Sequence, residues 1–270
     1  MYADRKVSTS EFFANHPVFS LREAVENLAA RGGKRGTVER LKYHVEAGRL
    51  KRVARETYAV VPPGVERARF QPDAFLVAST IRPDGVFSHH SALELLGAAH
   101  STWNQVTVYA GHRRPLTMNG VTLRFLSHPA PFSSSQKSHF ATRKVEHRGK
   151  LLQTTGPERT LVEGFRRPDL VGGLQELVVS ASGFTVLDLE VLEQTLTRYS
   201  VQKLWAATGW FLEQFQETFH VPEHYLQRLH RFRPDSPRYL LRSDRGGTLA
   251  RRWNLILPED LTRMSEPDER

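Results

Sequence analysis

Residues 20–61 limit the possible folds of this chain more than any other stretch, because they carry the signals of a helix, a turn, a second helix and a β-hairpin in that order. Ser20 and Glu23 stand three residues apart, so each side chain can bind the backbone N–H of the other as a capping box. A helix is therefore predicted to begin at about Leu21. Its apolar stripe follows helical spacing and consists of Leu21, Ala24, Val25 and Leu28. Glycines at positions 32–33 then supply the backbone freedom of a tight turn.

The second helix is predicted over residues 37–47. Helical spacing turns Val38, Leu41 and Val45 toward the core. The opposite face is the candidate recognition surface, and it carries Gly36, Arg40, Tyr43 and Ala47. Gly48 follows as a helix stop, since glycine readily accepts the left-handed conformation that ends many helices.

A β-hairpin is predicted next, with strands over residues 50–53 and 57–61 and a tip at 54–56. Pro62 and Pro63 cannot extend a strand ladder because they lack a backbone N–H, so they end the module and open a linker. Helix, turn, helix and hairpin together form the pattern of a winged helix-turn-helix, a module that places one helix in a DNA groove.

Positive charge is concentrated in the same segment. Between positions 34 and 55, two glutamates stand against eight basic residues: Lys34, Arg35, Arg40, Lys42, Arg49, Lys51, Arg52 and Arg55. Such cations can neutralise phosphates and release counterions, and arginine can also read base edges. Two less specific interpretations stay open: a solvated charged surface that only contacts protein, and a Tyr43 that is partly buried in the core.

The composition sets wider bounds on the class of protein. The chain has 270 residues, a net charge of +9 and no cysteine. This length suits roughly two domains, which we predict at residues 1–63 and 64–270. The lack of cysteine excludes disulfides and thiolate metal sites, and the basic balance favours a polyanionic partner. Because there is no membrane-length apolar run and no signal-peptide core, we expect a soluble, cytoplasmic protein without a membrane partner.

The remaining sequence predicts an α+β fold, in which a larger mixed α/β region and a helical C-terminal part follow the winged helix-turn-helix. Leucine and aromatic stripes predict the C-terminal helices between positions 168 and 233. The elements expected in the middle region are helices at 72–80, at 91–96 and from Pro157, strands at 105–110 and 121–126, and a hairpin at 145–155, with turns at Asn119-Gly120 and Arg148-Gly149.

A second basic segment lies near the C-terminal end, just before the strand-like run WNLILP. It could extend the DNA footprint or meet an acidic partner, or it could be a solvated face with several structural ion pairs. Its members are Arg228, Arg231, Arg233, Arg238, Arg242, Arg245, Arg251 and Arg252.

The sequence offers little for catalysis. His89 and His90, with Glu94 one helical turn later, form the densest cluster of ionisable residues. A metal site needs three or four convergent ligands, whereas adjacent histidines in a strand or loop point in opposite directions. No phosphate-binding loop, nucleophile elbow or paired-carboxylate motif stands out. We therefore expect no catalytic residue, no metal and no cofactor.

Several segments of the sequence resemble a known family. They are VFSLREA, LKYHVEAGRLKRVARETYAVVPPGV, SHHSALELLG, NQVTVYAGHRRP, TTGPERTLVEGF and RWNLILPE, and they extend from about Val18 to Glu259. In these phrases the chain is similar to the AbiEi family of antitoxins, from type IV toxin–antitoxin systems of bacteria. The combination of TTGPERTLVEGF with SALELLG is more specific than a winged motif, which many regulators share.

The resemblance implies an abortive-infection antitoxin that is not an enzyme. Its N-terminal domain would bind inverted repeats of double-stranded DNA in its own promoter and repress the operon, while the C-terminal region would counteract a nucleotidyltransferase-like toxin, directly or indirectly. Carried over by position, the DNA-contacting residues would be Lys34, Arg35, Arg40, Tyr43, Arg52 and Arg55. The chain departs from the family at the hairpin tip, where relatives often have glycine after the arginine and this chain has Glu56. Because a carboxylate repels phosphate, Arg55 should approach DNA less closely than in relatives.

Two other function classes remain open on the sequence alone. One is a winged-helix transcriptional regulator outside toxin–antitoxin systems that responds to a small ligand, with Trp103, Tyr109 and His112 lining the ligand pocket. The other is an enzyme acting on nucleic acid, for which His90 and Glu94 would be the residues to test.

Overall fold

The computed structural model describes residues 7–28, 33–111, 113–241 and 246–262, and it shows a mixed α+β fold. The helices in these ranges are α1 Thr9–Asn15, α2 Leu21–Asn27, α3 Gly33–Glu46, α4 Ala74–Ile81, α5 His90–Leu95, α6 Ser135–Ser138, α7 Pro157–Arg166, α8 Leu174–Ser182, α9 Leu189–Tyr199, α10 Gln202–Gln214, α11 Glu223–His230 and α12 Glu259–Thr262. The strands are β1 Val18–Ser20, β2 Leu50–Ala54, β3 Thr57–Val60, β4 Val86–Phe87, β5 Gln105–Tyr109, β6 Arg113–Met118, β7 Val121–Leu126, β8 Thr142–His147, β9 Lys150–Thr155, β10 Arg238–Tyr239, β11 Thr248–Ala250 and β12 Leu255–Leu257. None of the described helices combines the length and the hydropathy needed to cross a bilayer.

The chain divides into two compact units. The first combines Met1–Gly85 with Asn104–Phe125, and the second combines Val86–Trp103 with Leu126–Arg270. The first unit therefore contains α1 to α4 and the strands β1 to β3 and β5 to β7, and the second contains the remaining helices.

The capping box predicted at the start of α2 is confirmed. The backbone N–H of Ser20 donates to Glu23 Oε2 at 2.7 Å, and the N–H of Glu23 donates to Ser20 Oγ at 3.1 Å. Helix α3 begins earlier than predicted, at Gly33, whose φ of +59° suits glycine. The other predicted turn residue, Gly32, lies outside the described residues.

A three-stranded sheet follows, in the order β1–β3–β2. Strands β2 and β3 form the predicted antiparallel hairpin, and β1 pairs antiparallel with β3 from Val18 opposite Ala59 to Ser20 opposite Thr57. Neither α1 nor β1 was predicted. Helix α1 has its own cap, in which the N–H of Glu11 donates to Ser8 Oγ at 3.2 Å.

A small apolar core holds these elements together, and it corrects one prediction about α3. Its buried residues are Phe12, Phe19, Leu21, Ala24, Leu28, Leu41 and Leu50. Val38 was predicted to face this core, but it is 37% exposed, so that prediction is wrong. Thr37 is buried instead, one helical turn before Leu41. Its burial costs little because its hydroxyl donates to the carbonyl of Gly33 at 3.0 Å.

The rest of the first unit consists of α4 and the strands β6, β7 and β5, in that spatial order. The Asp73 side chain caps α4 by accepting from the N–H of Leu76 at 2.9 Å. The predicted turn at Asn119-Gly120 joins β6 to β7, and both residues have positive φ, as a tight hairpin turn requires.

The second unit combines two sets of three strands with a large helical core. One set runs in the order β4–β9–β8, with β4 parallel to β9, and the predicted turn at Arg148-Gly149 joins β8 to β9. Helices α7 to α11 supply most of the core. The WNLILP run provides β12, which lies between β10 and β11 in a small sheet. Trp253, just before β12, is fully buried and packs onto Gly209 of α10, where no larger side chain would fit.

Candidate nucleic-acid interface

Helix α3 presents cations and one aromatic ring to solvent. Lys34 and Arg35 are exposed in its first turn, Lys42 is exposed further along, and Arg40 is half-buried. Tyr43 is 61% exposed, so its interpretation as a core tyrosine is wrong. Exposed cations therefore lie along α3 beside the exposed carboxylates of Glu39 and Glu46, with an exposed aromatic near the C-terminal end.

Arg40 is held from the side by α1. Its Nη1 donates to Thr9 Oγ1 at 3.3 Å, and Thr9 is the first residue of α1. This contact restricts the side chain before any ligand arrives, which lowers the entropy lost on binding. No sequence pattern indicates this pairing, because α1 was not predicted.

Arg49 lies beside the same surface and covers Tyr43. Its guanidinium carbon is 5.1 Å from the centre of the Tyr43 ring, a cation–π distance. Burial, followed by the nearby Arg49 and Arg40, lowers the pKa of His44, so this neighbouring residue stays neutral at physiological pH. The positive charge here thus comes from arginine and lysine. Arg49 was absent from the predicted contact set because it lies beyond the helix, in the turn.

The hairpin adds two exposed arginines, Arg52 and Arg55. The register of β2 against β3 shifts between Arg52 and Ala54, and Arg52 Nε donates to the Ala54 carbonyl at 3.4 Å. Glu56 is exposed beside Arg55 and has a φ of +56°, in the left-handed region that glycine adopts without strain. The carboxylate predicted to weaken this tip is therefore also at a strained backbone position.

One basic residue of the segment, Lys51, makes a hydrogen bond within the protein. Lys51 Nζ donates to the carbonyl of Phe70 at 2.7 Å, and this bond ties β2 to the chain that follows the hairpin. The cations exposed on α3 and the hairpin can meet phosphate oxygens, while Tyr43 offers an apolar face.

The arginine-rich segment near the C-terminal end divides into two groups. Arg252 pairs with Glu213 at 2.8 Å and with Glu223 at 2.5 Å, and Arg228 pairs with Glu193 at 2.9 Å. These two arginines fit the interpretation of structural ion pairs. Arg228 is nonetheless exposed, as are Arg231, Arg238 and Arg251. Arg233 is half-buried beside His230, and Arg242 and Arg245 lie outside the described residues.

The histidine pair occupies a buried polar cluster of the second unit. His90 Nδ1 lies 2.9 Å from Glu94 Oε1, His90 Nε2 lies 3.5 Å from Glu176 Oε1, and the ring stacks on Trp103 at 5.4 Å between centres. Two carboxylates and one tryptophan thus enclose His90. Across the residues the structure describes, no group of three or more His, Cys, Asp or Glu side chains could hold a metal ion.

His89 is buried in an unusual backbone conformation, with φ 56° and ψ −130°. This is the region of the first central residue of a type II′ turn, which glycine and asparagine favour. Its Nδ1 lies 3.0 Å from Ser88 Oγ. Burial is the main cause that lowers the pKa of His89 to about 4, so the ring is neutral at physiological pH.

Sequence reasoning missed a buried charged network on α7. Arg159 and Glu163 are fully buried one helical turn apart, with Arg159 Nε donating to Glu163 Oε1 at 2.7 Å. Arg159 Nη1 also donates to the carbonyls of Ser138 and Phe140. The Tyr199 hydroxyl donates to Glu163 Oε1 at 2.7 Å, and burial, followed by Glu163, raises the pKa of Tyr199 so that it keeps its proton.

The structure describes two of the three residues suggested as a ligand pocket. Trp103 belongs to the second unit and stacks on His90. Tyr109 is buried in β5 of the first unit. His112 lies outside the described residues.

Comparison with known proteins finds a similar fold and no activity. The chain matches no protein-family model and no curated protein sequence. The crystal structure of the RV2827C protein from Mycobacterium tuberculosis is similar to it, with a TM-score of 0.63 and 19% sequence identity, and the match covers 94% of this chain and 93% of that one. At this identity the likeness concerns the fold alone.

Proposed function

We propose that the chain is an antitoxin of a type IV toxin–antitoxin system that represses its own operon. In this proposal, the N-terminal domain predicted at residues 1–63 is a winged helix-turn-helix that binds inverted repeats in the promoter. The second unit counteracts a nucleotidyltransferase-like toxin in the cytoplasm.

One observation supports the DNA-binding part: α3 and the hairpin, which both carry exposed basic residues, pack on the same small apolar core. Lys34 and Arg35 stand at the start of α3, and Arg52 and Arg55 stand on the hairpin. Phosphates on either side of a groove would meet these four cations, while Arg40 and Tyr43 would face the base edges. A surface that serves only as a protein contact does not need this distribution of charge.

The antitoxin part rests on the resemblance in the second unit. The phrases SALELLG and TTGPERTLVEGF fall on α5 and α7. They contain Glu94, Arg159 and Glu163, which belong to buried polar clusters. A motif of this kind specifies a fold, so it supports the family assignment without naming a catalytic group.

The test uses the purified full chain and DNA from directly upstream of its gene. Arg35→Ala should weaken binding and lower the slope of log affinity against log salt by about 0.9, the loss expected for one phosphate contact. Arg40→Ala should abolish discrimination between this promoter and unrelated DNA, yet it should leave protection against a co-expressed neighbouring toxin unchanged. Arg69→Ala is the matched control, because Arg69 is a highly exposed arginine outside α3 and the hairpin.

Two results would reject the proposal. Equal weakening of DNA binding by Arg35→Ala and Arg69→Ala would mean that charge acts without a defined interface. Loss of both promoter binding and toxin protection in a folded Arg40→Ala protein would contradict the assignment of the two activities to different parts of the chain.

A further inference from the structure

A groove in the first unit has a volume of about 630 Å³, and one of its lining residues is Arg49, whose guanidinium lies over the Tyr43 ring. Its walls come from Phe13 and Ala14 at the end of α1, from the turn at 47–49, and from the chain at 60–65. We call it the Arg49 groove. Its size falls within the range of small-molecule sites in proteins.

The lining of the Arg49 groove is apolar except at one point. Among the described residues that line it, Arg49 is the only one with a charged side chain, and the others are mainly valine, proline, alanine and phenylalanine. Several backbone N–H groups of the lining are also occupied: that of Val60 donates to Pro17, that of Val61 donates to Arg49, and that of Arg49 donates to His44. Pro62 and Pro63 have none. Arg49 is therefore the principal donor available to a bound molecule.

This combination specifies the chemistry of the ligand. Apolar walls favour a hydrocarbon body, and a single guanidinium at the edge favours one anionic head group, which it can bind through paired N–H donors. From these features we infer that the Arg49 groove binds a small amphipathic carboxylate, and that this ligand weakens DNA binding. The second part rests on the proposed function, whereas the first does not.

The coupling follows from the position of Arg49. Its guanidinium lies over the Tyr43 ring at 5.1 Å, and Tyr43 is an exposed aromatic of the α3 surface. A carboxylate bound to Arg49 would add a negative charge beside that surface and draw the guanidinium from the ring. DNA and the carboxylate would then compete, and by linkage each would lower the affinity for the other by the same factor.

The first experiment measures ligand binding without DNA, by calorimetry on the full chain with octanoate as the probe. Octanoate should bind, while 1-octanol and octylamine should bind at least about tenfold more weakly, since they lack the charge-assisted hydrogen bonds. Arg49→Gln should remove this preference, and Arg49→Glu should reverse it in favour of octylamine. Arg22→Gln is the control, because it removes an exposed arginine of α2 that does not line the groove.

A second variant tests the location independently of charge. Ala14 is exposed in the groove wall, so Ala14→Phe should fill the space, leave the fold intact and abolish octanoate binding. Equal binding of octanoate and 1-octanol, or unchanged octanoate binding in both Arg49→Gln and Ala14→Phe, would overturn the inference. So would a dimer that Ala14→Phe dissociates and octanoate does not, because a second copy would then occupy the groove.

The second experiment repeats promoter binding in the presence of octanoate. Wild type should lose affinity for DNA, and Ala14→Phe should bind DNA equally with and without octanoate. If octanoate binds the groove but the protein binds no DNA, the proposed function fails and the ligand site stands. If the protein binds its promoter but no octanoate, the ligand site fails and the proposed function stands.

Discussion

The backbone N–H of Leu21, the first residue of α2, donates to the carbonyl of Glu56 at the hairpin tip at 2.8 Å. The adjacent pair Ser20 and Thr57 stand opposite each other in the β1–β3 register. The hairpin tip is therefore anchored to the start of a helix. Anchoring limits the positions that Arg52 and Arg55 can take, and in the DNA binding proposed above it would reduce the conformational entropy lost.

Replacing Glu56 distinguishes the backbone strain at the hairpin tip from the effect of its negative charge. Glu56→Gly should raise the free energy of unfolding by about 0.5–1 kcal/mol, because glycine tolerates the φ of +56° better than glutamate, although its freer unfolded chain offsets part of the gain. Under the proposed function it should also strengthen promoter binding, because a carboxylate beside phosphate is removed. Urea denaturation and fluorescence anisotropy measure the two changes.

Glu56→Ala is the control for that prediction. It removes the carboxylate but keeps a side chain at the strained position, so it should strengthen DNA binding without the gain in stability. If both variants bind DNA as wild type does, the tip does not approach phosphate.

His89 makes stability depend on pH. Burial lowers its pKa to about 4, whereas the unfolded histidine has its ordinary value near 6.5, so the unfolded chain binds the proton more readily. The stabilisation is complete above pH 6.5 and is lost as the pH falls toward 4, by about 3 kcal/mol for this group alone. His89→Asn, which suits the same backbone conformation and does not titrate, should lessen the fall in unfolding free energy between pH 7 and pH 4.5. Parallel pH curves for the two proteins would contradict a buried neutral histidine.

The buried pair Arg159 and Glu163 should behave as a unit. Arg159→Met removes the Nε donor from the buried Glu163 carboxylate, and it should cost about 3–5 kcal/mol. Adding Glu163→Leu should recover part of this loss, because the uncompensated charge disappears. Denaturant titration of both single variants and the double variant gives the coupling energy, and strict additivity would show that the two residues act separately.

Gly209 should tolerate no side chain. An added Cβ would overlap the six-membered ring of Trp253, so Gly209→Ala should cost about 1–3 kcal/mol through overpacking. Gly183→Ala is a matched control, because the added Cβ would come near only the Ser180 carbonyl, at 3.3 Å. A thermal unfolding scan distinguishes the two, and equal melting temperatures would contradict the close packing of Trp253 on α10.

Local signals predicted much of the fold. The cap at Ser20, the helix beginning near Pro157 and the turns at Asn119-Gly120 and Arg148-Gly149 each depend on residues close in sequence, and each is present. Helix α1 had a comparable signal, since Ser8 stands three residues before Glu11. The helix was not predicted because its apolar stretch is short and lies just before a proline.

The errors and omissions concern contacts between distant residues. Helical periodicity could not tell whether Thr37 or Val38 would face the core, because the choice depends on how α3 packs against Phe12 and Phe19 and on the bond from Thr37 to Gly33. The sequence likewise does not indicate that Arg159 is buried, because an Arg and a Glu four residues apart usually mark an exposed helix face. The groove beside Arg49 joins three segments that are separated along the chain.

The burial of Trp253 has a consequence for the order of events during synthesis. The first unit ends at Phe125, so the ribosome has supplied all its residues while much of the second unit is still untranslated. The core of the second unit includes Trp253, so it is incomplete until residue 253 has left the exit tunnel. A nascent chain can therefore fold its basic module well before its helical part is complete, and pulse proteolysis of stalled chains would follow the two steps.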